Sequence, residues 1–256
     1  MIFETHAHYD DEAFDIDRDE LLQNLPKQGI EYIVNACSGV PSVDKVISLA
    51  EQYDYIYGAV GIHPEDSMHL DEDKYKWLKE KAKHPKVVAI GEIGLDYYWD
   101  TPDREIQKKW FARQMELAKE LKLPLVIHSR DAANDTYNMM KEAEAEKIGA
   151  IIHCFGYGVE QARQYMNMGF YLGIGGVVTF TNGRKLKEVV AFAPLESLVL
   201  ETDCPYLAPV PHRGKRNNSL YLDYVVKEIA KIKNLDYETV VRVTNENAKK
   251  FYFTER

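Results

Sequence analysis

Two histidines at i and i+2, His6 and His8, stand near the head of the chain in the stretch Met1-Ile2-Phe3-Glu4-Thr5-His6-Ala7-His8-Tyr9-Asp10. The apolar start reads as a short buried strand, and on a strand this spacing turns both imidazoles to one side. Neutral imidazole is the commonest protein metal ligand, so the pair could share one ion. Alone, His-x-His is a weak signal. It gains weight because later apolar runs also lead into ligand residues: Gly61-Ile62-His63-Pro64, Gly91-Glu92-Ile93-Gly94-Leu95-Asp96, His128-Ser129-Arg130-Asp131, His153-Cys154-Phe155 and Glu201-Thr202-Asp203-Cys204-Pro205. One strand-end histidine is usually a hydrogen-bonded turn residue, and one carboxylate there often caps the next helix. Their recurrence at strands one, four, five, six and eight points to ligands converging on one metal site.

The elements that must carry these residues alternate. After that first strand, apolar, β-branched runs are expected as strands at Tyr32–Ala36, Ile56–Val60, Val87–Ile90, Leu123–Ile127, Ala150–Ile152, Tyr171–Ile174 and Leu198–Leu200. Helical periodicity lies between them, near Arg18–Gln28, Val43–Gln52, Tyr75–Lys83, Pro102–Leu121, Asn134–Glu146, Val159–Met168 and Arg184–Phe192, and continues in Leu220–Lys233 and Tyr237–Phe251. Thr101 before Pro102 reads as an N-cap with proline at the first helical position. Pro26 interrupts the first helical pattern. Eight βα units suit a (β/α)8 TIM barrel of about 250 residues, whose chemistry sits at the carboxyl ends of its strands. The fold class expected is α/β, a single TIM-barrel domain over residues 1–256 with an extra C-terminal helix. An open doubly wound sheet competes, but no GxGxxG follows the first strand.

Composition narrows the classes further. A hydrophobic share of 45% with 29% charged residues is that of a globular protein without a membrane partner. No apolar run is long enough to span a bilayer, and the N-terminus lacks the pattern of a signal peptide. The three cysteines, Cys37, Cys154 and Cys204, are an odd count with no CxxC, which suits a reducing cytoplasm. A formal charge of −9 argues against a broadly basic nucleic-acid surface while leaving room for a local one.

At these residues the chain resembles the TatD family of metal-dependent deoxyribonucleases, within the wider amidohydrolase-like barrels. The motifs occur in the family's order and the likeness runs from the His-x-His to Pro211-His212-Arg213-Gly214-Lys215-Arg216-Asn217. Glu4 departs from the family's usual Asp, and Cys204 from its usual Ser. A longer carboxylate at position 4 could shift ligand geometry without removing a ligand, and a thiol at 204 hydrogen-bonds weakly and could be oxidised. The resemblance implies a two-metal centre: His6, His8 and Asp203 on the first ion, His128 and His153 on the second, with Glu92 bridging. Mg or Mn would be the working ions, and Zn or Ni the ions a purified sample carries, because imidazole is unusual for magnesium.

The expected activity is hydrolysis of DNA phosphodiester bonds, exonucleolytic on single strands or DNA ends, by water ionised with metal assistance and Asp203 taking its proton. Glu92 and His63 join Asp203 as expected catalytic residues, His63 also touching substrate phosphate or water. Arg130 suits either bracing a carboxylate or meeting a phosphate. Arg213 and Arg216, in a basic loop after strand eight, are expected on phosphate. Glu201 suits orienting a histidine. Tyr97, Tyr98 and Trp99 fit either packing or stacking on bases. His69 and His84 lack a partner pattern. Rival readings are an amidohydrolase or esterase on a small molecule or aminoacyl-tRNA, and a metal-dependent interaction protein with vestigial catalysis; no obligate protein partner is evident. The complete ligand set disfavours the last.

Overall fold

The computed structural model describes residues 1–99 and 101–254. Eight parallel strands lie in sequence order: β1 (Ile2–Ala7), β2 (Ile30–Ala36), β3 (Ile56–Ala59), β4 (Val87–Asp96), β5 (Leu125–Arg130), β6 (Ala150–Ile152), β7 (Tyr171–Ile174) and β8 (Leu198–Leu200). The ring nearly closes where β8 returns to β1. There the Thr5 hydroxyl donates to the Leu200 carbonyl (2.9 Å), the Asp203 N–H to His6 (3.1 Å) and the His8 N–H to Cys204 (2.9 Å). Helices α1 (Arg18–Asn24), α2 (Ser42–Gln52), α3 (Glu72–Ala82), α4 (Arg104–Leu121), α5 (Ala133–Glu142), α6 (Val159–Asn167), α7 (Arg184–Phe192) and α8 (Leu222–Lys233) connect or follow the strands. The TIM barrel is as expected, and α9 (Tyr237–Phe253) is the extra C-terminal helix.

The side-chain alternation of a strand explains why the chemistry gathers at one end. Val126, Ile151 and Val199 are buried in one cluster although they sit on β5, β6 and β8, which only the barrel interior allows. Two residues on, the same faces present His128, His153 and Glu201. α9 closes the opposite end. Its Ala248, Phe251 and Tyr252 join that cluster, the Tyr252 hydroxyl donates to the Thr5 carbonyl, and the Asn247 amide donates to the carbonyls of Leu195 and Leu198. Among the described residues no helix is long and apolar enough to cross a membrane.

Three local expectations need correction. β4 runs to Asp96 instead of stopping at Ile90, because it stays paired with β5 past the rim: Gly94 faces His128, Leu95 faces Ser129 and Asp96 faces Arg130. Gly94, at φ +147°, is required there, since a Cβ would fall 1.9 Å from the His128 carbonyl oxygen. The cap of α4 is Asp103, whose carboxylate accepts from the Glu105 N–H at 2.8 Å; Thr101 and Pro102 precede it. The first helical pattern splits at Pro26 into α1 and a 3-10 turn at Pro26–Gln28, as a proline without an N–H dictates.

Candidate metal centre

Glu92 is the hub. Its Oε1 lies 2.8 Å from His128 Nδ1, 3.5 Å from His153 Nε2 and 3.8 Å from His63 Nε2. Its Oε2 lies 3.3 Å from His6 Nε2 and 3.7 Å from His8 Nε2. Asp203 Oδ1 faces the same imidazoles from the other side, 3.3 Å from His8, 3.7 Å from His6 and 3.8 Å from His153. The i, i+2 pair does converge, with His6 Nε2 and His8 Nε2 3.1 Å apart.

Neighbouring groups hold each ligand. His8 Nδ1 must donate, because its partner 2.9 Å away is the Ala36 carbonyl, so Nε2, which faces the centre, is the nitrogen that becomes bare when the ring is neutral. His128 Nε2 meets Asp96 Oδ2 at 2.9 Å. His153 Nδ1 has Glu201 Oε1 at 3.3 Å, an ionic contact too poorly aligned for a hydrogen bond. Glu201 is itself wedged against Gly173, where a Cβ would fall 2.1 Å from Oε2. Glu4 is buried, and its Oε1 accepts the backbone N–H groups of Thr202 (2.8 Å) and His6 (3.3 Å). Burial pushes the Glu4 carboxyl up to about 8, and its two backbone bonds make it a brace beneath His6. Cys204 is fully buried, and that burial pushes its thiol up, which removes the thiolate on which the expected oxidation depends. The loops that deliver the ligands are tightly turned: Asp131, Cys154 and Asp203, after β5, β6 and β8, all adopt positive φ, the kind of backbone conformation that clusters at functional sites.

The electrostatics follow from five imidazoles around two carboxylates. Burial opposes charge on His8, but the Asp203 hydrogen bond and the Asp203 and Glu92 charges raise it to about 9. His128 rises to about 9 against burial through Asp96 and Glu92, and His153 to about 10 through Glu201 and Glu92. His63 goes the other way, to about 3, through burial and the nearby His128. Burial would raise Glu92 and Asp203, yet the surrounding imidazoles hold both below the usual carboxylate range.

The donor set fits divalent cations. His6, His8 and Asp203 offer one group of ligand atoms within 4.8 Å of one another, His6, Glu92 and His153 a second, and His63, Glu92 and His128 a third. Metal-free protein should therefore carry protons on His8, His128 and His153 at pH 7 and release them when metal binds. Their raised values mean that the stabilisation from these contacts is complete below the unfolded value of about 6.5. It is lost as pH climbs through about 9 to 10. The Tm of chelated protein should fall over that window. Titration calorimetry of metal uptake at pH 7, in buffers of different ionisation enthalpy, should count more than one proton released. No proton release would break this account.

Other expected residues fall in different places. His63 sits with Glu92 and His128, its ring 4.3 Å from that of His128, so the structure brings it to the cluster itself. Arg130 lines a cleft of roughly 470 Å³ that opens beside His128, His153 and Asp203. Arg213 lies over the Phe180 ring at 3.7 Å. The Arg216 fork is taken by Asp17 (2.7 and 2.6 Å) and the Ala13 carbonyl, so a phosphate there would have to compete with a carboxylate. His84 contacts Glu51 at 3.1 Å and His69 contacts Asp66 at 3.6 Å, both away from the centre. The residue that sequence reasoning missed is Asp96. A strand expected to end at Ile90 gave no reason to place it on one face with Glu92; only the continuation of β4 to Asp96 does so.

Comparison with known proteins places the chain by family and by fold. The family model for "TatD related DNase" matches residues 3–253. The uncharacterized metal-dependent hydrolase YabD of Bacillus subtilis is 45% identical over 252 residues, covering 98% of this chain and 99% of its own. A Rahnella protein named 3'-5' ssDNA/RNA exonuclease TatD is 30% identical, covering 98% of both chains. The crystal structure of YJJV, a TatD homolog from Escherichia coli K12, superposes with a TM-score of 0.93 at 28% identity, over 99% of this chain and 98% of that one.

Proposed function

The chain belongs to the TatD related DNase family of metal-dependent hydrolases, and from that premise we propose that it cleaves phosphodiester bonds of DNA, removing nucleotides from a single-stranded end. The observation that carries the reading is the gathering of five imidazoles, Glu92 and Asp203 at the mouth of a barrel, beside a cleft with a guanidinium, Arg130, on its wall. The name of the Rahnella relative supports a single-stranded nucleic acid as the substrate class. Three unpaired thiols suit the cytoplasm as its location.

In this reading His6, His8 and Asp203 would hold one divalent ion and His128 and His153 a second, with Glu92 as the carboxylate shared between them. Bound Mg or Mn would lower the pKa of water and offset phosphate charge, with Zn or Ni able to take the same donors. The chain's own groups do the rest. Asp203, the more exposed of the two central carboxylates and held ionised by its imidazole neighbours, accepts the proton of the attacking water. His63, neutral, lines with His8, Glu92 and Asp203 the pocket directly over the centre and donates to or accepts from a phosphate oxygen or water. Arg130 offers a planar fork to the following phosphate. Asp96 and Glu201 keep His128 and His153 from turning away.

Chelation, with metal absence verified by elemental analysis, should abolish turnover of single-stranded DNA, and Mg or Mn should restore it. A panel of 5′-blocked and 3′-blocked oligonucleotides, duplex DNA, RNA, simple esters and aminoacyl-tRNA tests the substrate class. Mononucleotide release from one unblocked end is expected. Ester or aminoacyl-tRNA cleavage with every oligonucleotide left intact would replace the nuclease reading by a deacylase one.

A further inference from the structure

Beside the metal centre the barrel rim carries two large aromatic side chains in the open. Tyr98 is 54% exposed and Trp99 58% exposed, and their rings meet edge to face at 5.0 Å and 88°. Their neighbour Tyr97 is not part of this surface: it is half-buried, its hydroxyl donates to Asp135 and its ring lies against Arg104. The Arg130 guanidinium lies over the Tyr98 ring at 3.8 Å and 5.9 Å from that of Trp99, while Arg130 also lines the cleft that reaches His128 and His153. One cation thus joins the aromatic pair to the reaction site.

The join is rigid. Asp96 accepts the Tyr98 N–H on Oδ1 at 2.9 Å and meets His128 with Oδ2 at 2.9 Å, so one carboxylate fixes both the aromatic turn and a candidate ligand. The Tyr97 N–H donates to the Arg130 carbonyl at 2.9 Å, which extends the β4–β5 ladder to the base of the pair. Paired aromatic faces with an arginine between them and the chemistry suit a flat ring bearing a negative charge one sugar away. Within a duplex both faces of a base are covered by its neighbours, whereas a single strand can unstack a base and offer its face to a side chain.

Resting on the nuclease reading above, we propose that Tyr98, Trp99 and Arg130 form a stacking subsite for one unpaired nucleobase of a single-stranded substrate, with Arg130 on the adjoining phosphate. The subsite reads the presence of a base and not its identity, since every base has a π-face and no hydrogen-bonding edge is read.

The test uses the metal-loaded enzyme. A phosphorothioate single strand carrying 2-aminopurine at successive positions should show quenching on binding at one position near the cleavable end. Replacing Tyr98 and Trp99 together by Ala should abolish that quenching and weaken binding about five- to 150-fold. The loss should appear in KM far more than in kcat, and the Tyr98→Phe, Trp99→Phe variant should restore it. An oligonucleotide abasic at that position should bind wild type and the double alanine variant equally. Equal effects on abasic and intact strands, or unchanged affinity in a folded variant, would overturn the subsite while leaving the nuclease reading in place. A change in oligomeric state without a change in oligonucleotide affinity would overturn it too and give the patch to a second copy of the chain. Absence of turnover and of binding for every nucleic acid tested would overturn both readings together.

Discussion

Asp203→Asn should lower turnover on the order of 10²–10⁴-fold, the scale for losing a general base, and leave the protein folded. The substitution keeps the size and one coordinating oxygen but removes the charge and the proton acceptor. Survival of the fold is expected on two grounds. The barrel core is built from apolar residues below the site, and none of them leans on this carboxylate. Position 203 also needs a residue that tolerates φ +59°, and Asn is among the few that do. The Asp203 N–H bond to His6, which joins β8 to β1, is a backbone bond and is retained. His8 loses its nearest carboxylate, so its raised value should drop and one fewer proton should be released on metal uptake. The ion assigned to His128, His153 and Glu92 should stay. Turnover, metal content and Tm measured on one preparation separate these effects. A folded variant with near wild-type turnover would remove Asp203 from the mechanism, and one that does not fold would make it structural.

The barrel was legible because its strands are short apolar runs and its helices periodic, and β6, β7, β8 and α7 lie where their patterns end. The clustering of the histidines was legible for a related reason: a polar residue that ends an apolar run must either turn to solvent or find a partner, and His128 and His153 do the second. What the sequence hid depends on distance in space. Asp96 looked like the tail of a motif until β4 was seen to continue alongside β5. The basic loop read as a phosphate cradle, since nothing in its spacing shows that Asp17, some two hundred residues earlier, takes the fork of Arg216. Composition could not separate packing from exposure within Tyr97-Tyr98-Trp99. Asp135 and Arg104 claim the first ring, and the other two remain on the rim.

Glu92→Gln should have the largest effect of any single substitution, because Glu92 is within 3.8 Å of all five imidazoles of the centre. An amide keeps one oxygen but puts an NH2 where imidazole nitrogens already crowd, and it removes the charge that lies between them. Removing one partner of a buried ion pair costs about 3–5 kcal/mol because the other charge is left uncompensated. At pH 7 the metal-free variant should therefore melt below wild type, and its imidazoles should shed their protons. Above about pH 10 wild-type His8, His128 and His153 lose their protons as well, so the difference in Tm should narrow. Metal content separates this variant from Asp203→Asn. Losing the carboxylate proposed to span both ions should strip both, whereas losing Asp203 should leave one. Each ion is worth several kcal/mol in the transition state, and roughly 4 kcal/mol already amounts to 10³ in rate. Turnover should accordingly fall by at least about that factor and not recover with excess Mg or Mn. A Glu92→Gln protein that still binds two ions per chain would show that Glu92 organises the imidazoles without spanning the metals.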